Sequence, residues 1–147
     1  MVKKYKYIFY NKCMSLNIDD IYCSQWLINE DLKKYCENNE YSRFFVKPHD
    51  ILHIKDTINY DAINSNNFVK YNNYISLTRQ LEHSVDTFKN LLKNFDIEKM
   101  KPIKLVFNSN IKKYVVQDGV HRLCILLYKK IYTNEIPIEK INIIKSR

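Results

Sequence analysis

Val115-Val116-Gln117-Asp118-Gly119-Val120-His121-Arg122 runs directly into Leu123-Cys124-Ile125-Leu126-Leu127-Tyr128. Lys113-Tyr114-Val115-Val116 is aromatic and β-branched, which predicts a strand. Asp118-Gly119 is a turn dipeptide, and Gly119 is the only glycine of the chain. From His121 onward, Leu123, Ile125, Leu126 and Leu127 fit a buried helix, with Lys129 and Lys130 in its last turns. The order is therefore strand, glycine turn, helix, with His121 and Arg122 at the helix start.

That order has a consequence for charge. The first N–H groups of a helix lack intrahelical partners, and the dipole leaves partial positive charge there. Two potentially cationic side chains at that end are unfavourable by about 0.3–1 kcal/mol each when exposed. An anion over the turn removes the conflict, because N–H groups, His121 and Arg122 then converge on it. Asp118 has three open roles: orienting Arg122 or His121, holding a metal ion, or taking a proton. The plain alternative is a simple turn, with His121 a surface residue and Arg122 a solvated charge.

The strand, the Asp-Gly-x-His-Arg turn and the helix resemble the ligand-binding turn of the ParB/sulfiredoxin superfamily. The flanks resemble it too. Arg79 to Phe95 reads as a helix, followed by the strand Lys101-Pro102-Ile103-Lys104-Leu105-Val106-Phe107, the hairpin Asn108-Ser109-Asn110 and the second strand. Glu135-Ile136-Pro137-Ile138 resembles the family's closing strand, and Leu16-Asn17-Ile18-Asp19-Asp20-Ile21 its short opening strand. The resemblance implies an α+β fold, a small mixed sheet with packed helices. Residues 1–147 would be a single domain, with 79–144 the ParB/sulfiredoxin-like core and 1–78 an elaborated N-terminal half.

Departures from the family narrow what it implies. Sulfiredoxins carry a reactive cysteine where this chain has Val120, so their chemistry is not supported. Partition proteins carry Gly-Glu-Arg-Arg around a nucleotide triphosphate; Gly119 and Arg122 carry over, while Val120 and His121 replace the middle pair. The free serine kinase branch has an Asp-Gly-His-Thr-Arg type turn. Asp118, Gly119 and Arg122 match that pattern, with the histidine one residue displaced, and this branch is the nearest fit.

The resemblance thus implies binding of a nucleotide (ATP, ADP or CTP), with phosphoryl transfer to a small molecule or nucleotide hydrolysis. Gly119 would let backbone approach the phosphates, and the N–H groups from Val120 onward and Arg122 would hold them. His121 would donate a hydrogen bond or a proton. Asp118 or Glu82 would activate an acceptor hydroxyl or water, or hold Mg2+. Arg79 and Glu82 are positional candidates from the start of the preceding helix, where the superfamily supplies an arginine or an acid. The rival readings are a DNA-associated module, either a nucleotide-switched clamp or a nuclease, and a non-catalytic binding domain. Because the sequence runs only a few residues past Ile144, the helix-turn-helix region of partition proteins is not expected.

The remaining sequence bounds these readings. The net charge of +8 is compatible with a polyanionic partner. The lysines are scattered, however, in a chain rich in Lys, Asn, Ile and Tyr, the composition an AT-rich genome produces; DNA is not favoured. No apolar run approaches the roughly 20 residues that span a bilayer, and the basic, alternating Met1–Tyr10 reads as a strand rather than a signal peptide. Cys13, Cys23, Cys36 and Cys124 show no zinc spacing, and reduced thiols in a cytoplasmic protein are expected. Cys124 is expected to be buried and inert against the apolar stripe of the Arg79–Phe95 helix.

Elsewhere, Asn29 is expected to cap a helix, and Phe44–Lys47 is a short strand candidate ended by Pro48. The spacing of His49 and His53 would put two metal ligands on one face of a helix, but Ile51, Leu52 and Ile54 claim that helix as core, so no metal site is assigned. Residues 44–74 otherwise read as irregular surface structure around Asn64–Asn67, a lid or substrate wall. Thr78 is expected to cap the next helix, whose stripe is Leu81, Val85, Phe88, Leu91, Leu92 and Phe95.

Overall fold

The structure is a computed structural model that describes residues 15–26, 49–78 and 80–144. Expectations for Met1–Tyr10, the Asn29 helix and Phe44–Lys47 lie outside them, as does Arg79. The described elements are strand β1 (Ser15–Asn17), β2 (Ile21–Trp26), β3 (His49–His53), helices α1 (Ile58–Ser65), α2 (Val69–Leu77) and α3 (Val85–Lys93), strands β4 (Ile103–Asn108) and β5 (Lys113–Asp118), helix α4 (Val120–Tyr128), and strands β6 (Glu135–Pro137) and β7 (Ile141–Ile144). The chain is α+β, as expected.

Five strands form one mixed sheet in the order β3-β2-β5-β4-β7. β2 runs parallel to β5, and β4 runs parallel to β7. The β4–β5 hairpin is antiparallel, and its turn is held by Asn108, whose Oδ1 accepts from the N–H groups of Asn110 and Ile111. Strands from both halves of the chain therefore share one sheet. Because β2 and β5 are parallel, Gln25 and Asp118 finish at the same end of it.

One sheet face carries Ile21, Cys23, Ile103, Leu105, Tyr114 and Val116, all buried. Helices cover this face. Leu123 to Leu127 of α4 are all buried, which fits a helix enclosed on every side. α4 packs on α1, where the Cys124 Sγ lies 3.6 Å from the Thr57 Oγ1.

Several expectations need correction. Residues 49–77 are not irregular: β3, α1 and α2 occupy them, with Asn66 in the left-handed conformation ending α1. His49 and His53 are at the ends of a strand, so the helical metal spacing does not arise. The helix expected from Arg79 begins only at Val85, capped by the Ser84 hydroxyl. Thr78 instead closes α2, its hydroxyl bonded to the Tyr74 carbonyl, and Leu81 is 75% exposed on a separate 3-10 turn. A β-branched hydroxyl residue suits either end of a helix, and the sequence does not distinguish them. Cys124 is buried as expected, but its polar neighbour is Thr57 before α1. Finally, Glu135–Pro137 pairs with Ser15–Asn17 in a separate two-stranded sheet; β7 closes the main sheet against β4. Leu16 and Ile21 belong to two strands separated by a 3-10 turn.

Among the described residues, no helix is long and apolar enough to cross a membrane.

Candidate functional site

The β5–α4 turn forms as the sequence predicts. Asp118 is the last residue of β5, and His121 and Arg122 lie in the first turn of α4. Gly119 has φ 114°, a conformation that costs a residue with Cβ of the order of 1–3 kcal/mol. A Cβ there would also lie 2.9 Å from Arg122 Nη2 and 3.2 Å from Ile103 Cγ1. The sheet register shifts between Lys104 and Leu105, so that Lys104 faces Asp118 while Leu105 faces Val116. A bulge at this point turns the end of β5 relative to the rest of the strand.

Arg122 is engaged by the protein. Its Nη1 donates to the Lys101 carbonyl at 2.7 Å, with the Pro102 carbonyl 3.5 Å away. Its Nη2 lies 3.3 Å from Asp118 Oδ2; the Arg122 side chain is 17% exposed and that of Asp118 65%. Of the roles open to Asp118, orienting Arg122 is the one its contacts display. The solvated Arg122 of the plain alternative is not found.

His121 is not a surface residue either. Its Nε2 lies 2.8 Å from the Tyr71 hydroxyl and 3.2 Å from Asn59 Nδ2. The direction of this network can be assigned from its far end. The Ile58 N–H donates to Gln25 Oε1 at 3.1 Å, which leaves Gln25 Nε2 to donate to Asn59 Oδ1 at 2.5 Å. Asn59 Nδ2 therefore presents a donor to His121 Nε2, which must accept. Tyr71 has one proton for two acceptors, His121 Nε2 and the His83 carbonyl 2.5 Å away. Gln25 and Asn59 are 6% and 4% exposed, so the network is interior.

Phe88 and Tyr71 meet the His121 ring edge-on, and His83 stacks on it with centroids 4.6 Å apart. Burial pulls His121 down to about 4, assisted by the neighbouring charges of His83 and Arg122. It is therefore uncharged at neutral pH. The expected pair of free cations at the start of α4 is absent: burial neutralises one, and protein acceptors engage the other.

Two cavities meet at this turn. The larger, about 330 Å3, is lined by polar side chains from five elements and the segment after α2, including Gln25, Asn59, Thr78, Gln80, Gln117 and Asp118. The smaller, about 170 Å3, lies against α3. His83, Asp118, Gly119 and His121 border both. Among the described residues, no side chain caps α4. A still larger hollow, about 550 Å3, lies around Ser24, Ile51, Val106 and Val115 on the other sheet face, with no titratable side chain in its lining. Another hollow, about 450 Å3, is lined by charged side chains that include Asp50, Lys55, Asp61 and Lys70.

Of the predicted site residues, the fold brings Asp118, Gly119, Val120, His121 and Arg122 together. Glu82 borders neither cavity; it is exposed and lies 3.8 Å from His83 Nε2. It lies on the 3-10 turn that replaces the expected helix start, beside His83, which borders both cavities. Sequence reasoning missed Gln25, Asn59 and Tyr71. One tyrosine among twelve gives no signal, and a polar residue at a strand end or in a helix's first turn reads as exposed. Among the described residues, no group of three or more His, Cys, Asp or Glu side chains is arranged to hold a metal ion.

No family model matches the chain, and neither a curated protein nor a solved structure matches it.

Proposed function

We propose that this chain binds a phosphate-bearing small molecule, a nucleotide in the first instance, at the start of α4. The observation that carries the reading is the first turn of α4, uncapped by any described side chain, behind a positive-φ glycine and opening on a polar cavity of about 330 Å3. Helix N–H groups and the dipole favour an anion there, and the volume lies near the lower end of small-molecule sites. The resemblance of the Asp118-to-Arg122 turn to the ParB/sulfiredoxin superfamily, and to its serine kinase branch, supports the same ligand class and a ParB-like fold.

Binding is better supported than phosphoryl transfer. His121 is uncharged and committed to Asn59 and Tyr71, which suits holding a shape more than donating protons. Glu82 stands apart. Among the described lining residues, Asp118 alone brings a carboxylate, and an exposed one, to the cavity, and transfer or hydrolysis, with or without Mg2+, would rest on it.

The test is a thermal-unfolding screen of the full chain with inorganic phosphate and with nucleotides, each with and without Mg2+. A ligand at about 100 times its dissociation constant should stabilise the fold by roughly 2.7 kcal/mol. Absence of a shift with every phosphate compound at millimolar concentration would remove the reading.

A further inference from the structure

The smaller cavity has no part in phosphate binding as described above. It lies across the glycine turn from the larger one, between α3 and α4, and Phe88, Leu91, Thr87 and Arg122 are lining residues that the larger cavity lacks. Its volume, about 170 Å3, is about six times the roughly 30 Å3 that a water molecule occupies in the liquid. That suits one flat ring system and not a whole nucleotide. Because His83, Asp118, Gly119 and His121 border both cavities, a single ligand can occupy the two at once.

Arg122 decides what the smaller cavity can take. A guanidinium grips phosphate through its N–H edge. Here that edge is turned onto the Lys101 carbonyl and the Asp118 carboxylate. With both terminal nitrogens so engaged, Arg122 enters the cavity lining as a guanidinium held in place, and a guanidinium fixed at its edge is a stacking platform for flat π systems. Phe88 and Leu91 add apolar walls, and Gly119 gives Arg122 the room to lie across the turn, since a Cβ would stand 2.9 Å from its Nη2.

We infer that the smaller cavity receives a flat heteroaromatic ring of the purine or pyrimidine class, stacked on Arg122, from the same ligand whose phosphate lies at the start of α4. The inference rests on the phosphate reading for its second half only. Arg122 is then a base-stacking residue, in contrast to the phosphate clamp that its place in the turn implies.

The experiment is calorimetric titration of the full chain with adenosine monophosphate, cytidine monophosphate, adenosine, ribose 5-phosphate and inorganic phosphate. It is repeated on Leu91→Trp, which fills the cavity from its lip, and on Thr87→Phe as a second filling variant. Thermal melts verify that each is folded. At least one nucleotide should bind about tenfold or more tighter than ribose 5-phosphate, the scale of one stacked base. That ratio should fall towards one in the filled variants. Equal binding of ribose 5-phosphate and both nucleotides would overturn the inference, as would a ratio that survives in either folded variant. Binding of adenosine alone, lost on filling, would keep the ring site and remove the phosphate reading. No binding by any of the five would remove both.

Discussion

Arg122 Nη1 donates to the Lys101 carbonyl oxygen across 2.7 Å. That bond ties the first turn of α4 to the segment that leads into β4, two elements separated in sequence by the whole β4–β5 hairpin. With Asp118 on Nη2, Arg122 fastens both ends of the glycine turn. The expectation that Arg122 is held in reserve for a ligand anion gives way to a residue already at work in the fold.

Arg122→Ala should accordingly destabilise the chain with no ligand present. A hydrogen bond to a charged group is worth about 1.5–3 kcal/mol, and the largely buried side chain places the loss in that range. Arg122→Lys keeps a charge but cannot reach both acceptors from a fixed fork, so it should recover only part. Equilibrium urea denaturation measures both. An alanine variant as stable as the parent would mean that the Lys101 and Asp118 contacts contribute nothing in solution.

Gly119→Ala should cost stability for two separable reasons. The φ of 114° is strained for alanine, and the new Cβ meets Arg122 Nη2 and Ile103 Cγ1. The first remains in an Arg122→Ala background and most of the second disappears. A double-mutant cycle should therefore give a less-than-additive loss, with coupling of about 0.5–3 kcal/mol, the range for residues in direct contact. Strict additivity would show that Arg122 simply moves aside.

His121 makes stability depend on pH with a definite sign. Its folded value, about 4, lies below the ordinary 6.5 because burial opposes the charged ring. Between those values the unfolded chain binds the proton and the folded chain does not. Stability from this group is complete above pH 6.5, declines as pH falls, and is fully lost near pH 4; the total is about 3 kcal/mol. Tyr71 and Asn59 face the ring from α2 and α1, and His83 and Arg122 are the neighbours that oppose a charge on it. Urea melts from pH 7.5 to 4 should show the decline in the parent and a flatter profile in His121→Gln. Parallel profiles would assign the decline to other groups.

The sequence was most readable where local chemistry acts alone. A single glycine after Asp118, a β-branched run before it and an apolar run after it give strand, turn and helix in the right order, though the strand runs on to Asp118 and the helix spans Val120–Tyr128, so that Lys129 and Lys130 follow it and do not lie in its last turns. It was least readable where tertiary structure chooses between local options. Thr78 is as good a cap for a following helix as a stop for a preceding one. His121 in a first helical turn reads as exposed until α1, α2 and α3 close over it, and nothing within five residues of His121 announces Tyr71 or Asn59. Pairing is legible only in part. The β4–β5 hairpin follows from its Asn-rich turn, whereas the parallel pairing of β2 with β5 joins residues about ninety positions apart and leaves no local mark.

Cys23 and Cys124 are both buried, and burial pushes each thiol up to about 12. The thiolate is the reactive form, so both should resist alkylation at pH 8 in the folded chain and react on unfolding. Peptide mapping after a brief iodoacetamide pulse distinguishes them from Cys13 and Cys36. Rapid modification of Cys124 in the native state would show that the α1–α4 contact opens readily and would return thiol chemistry to consideration.

Asp118→Asn separates the functional readings most cleanly. The carboxylate stands at the mouth of the polar cavity, largely exposed, with one oxygen 3.3 Å from Arg122 Nη2. Asparagine keeps the shape and an acceptor oxygen for Arg122, so the fold should lose little. It removes a negative charge beside the place where the phosphate would lie. Two unit charges about 4 Å apart in water repel by ~1 kcal/mol, so a phosphate at the start of α4 should bind about fivefold tighter to the variant. The gain should shrink as salt is raised, because exposed charges are screened. If Asp118 instead activates an acceptor or holds Mg2+, the variant should lose turnover, or lose the Mg2+ dependence of binding, even as phosphate alone binds more tightly. Titrating inorganic phosphate and a nucleotide into parent and variant, with and without Mg2+, reads all of these. Phosphate binding that weakens in Asp118→Asn would count against a bare anion beside this carboxylate, because loss of a neighbouring negative charge should strengthen it.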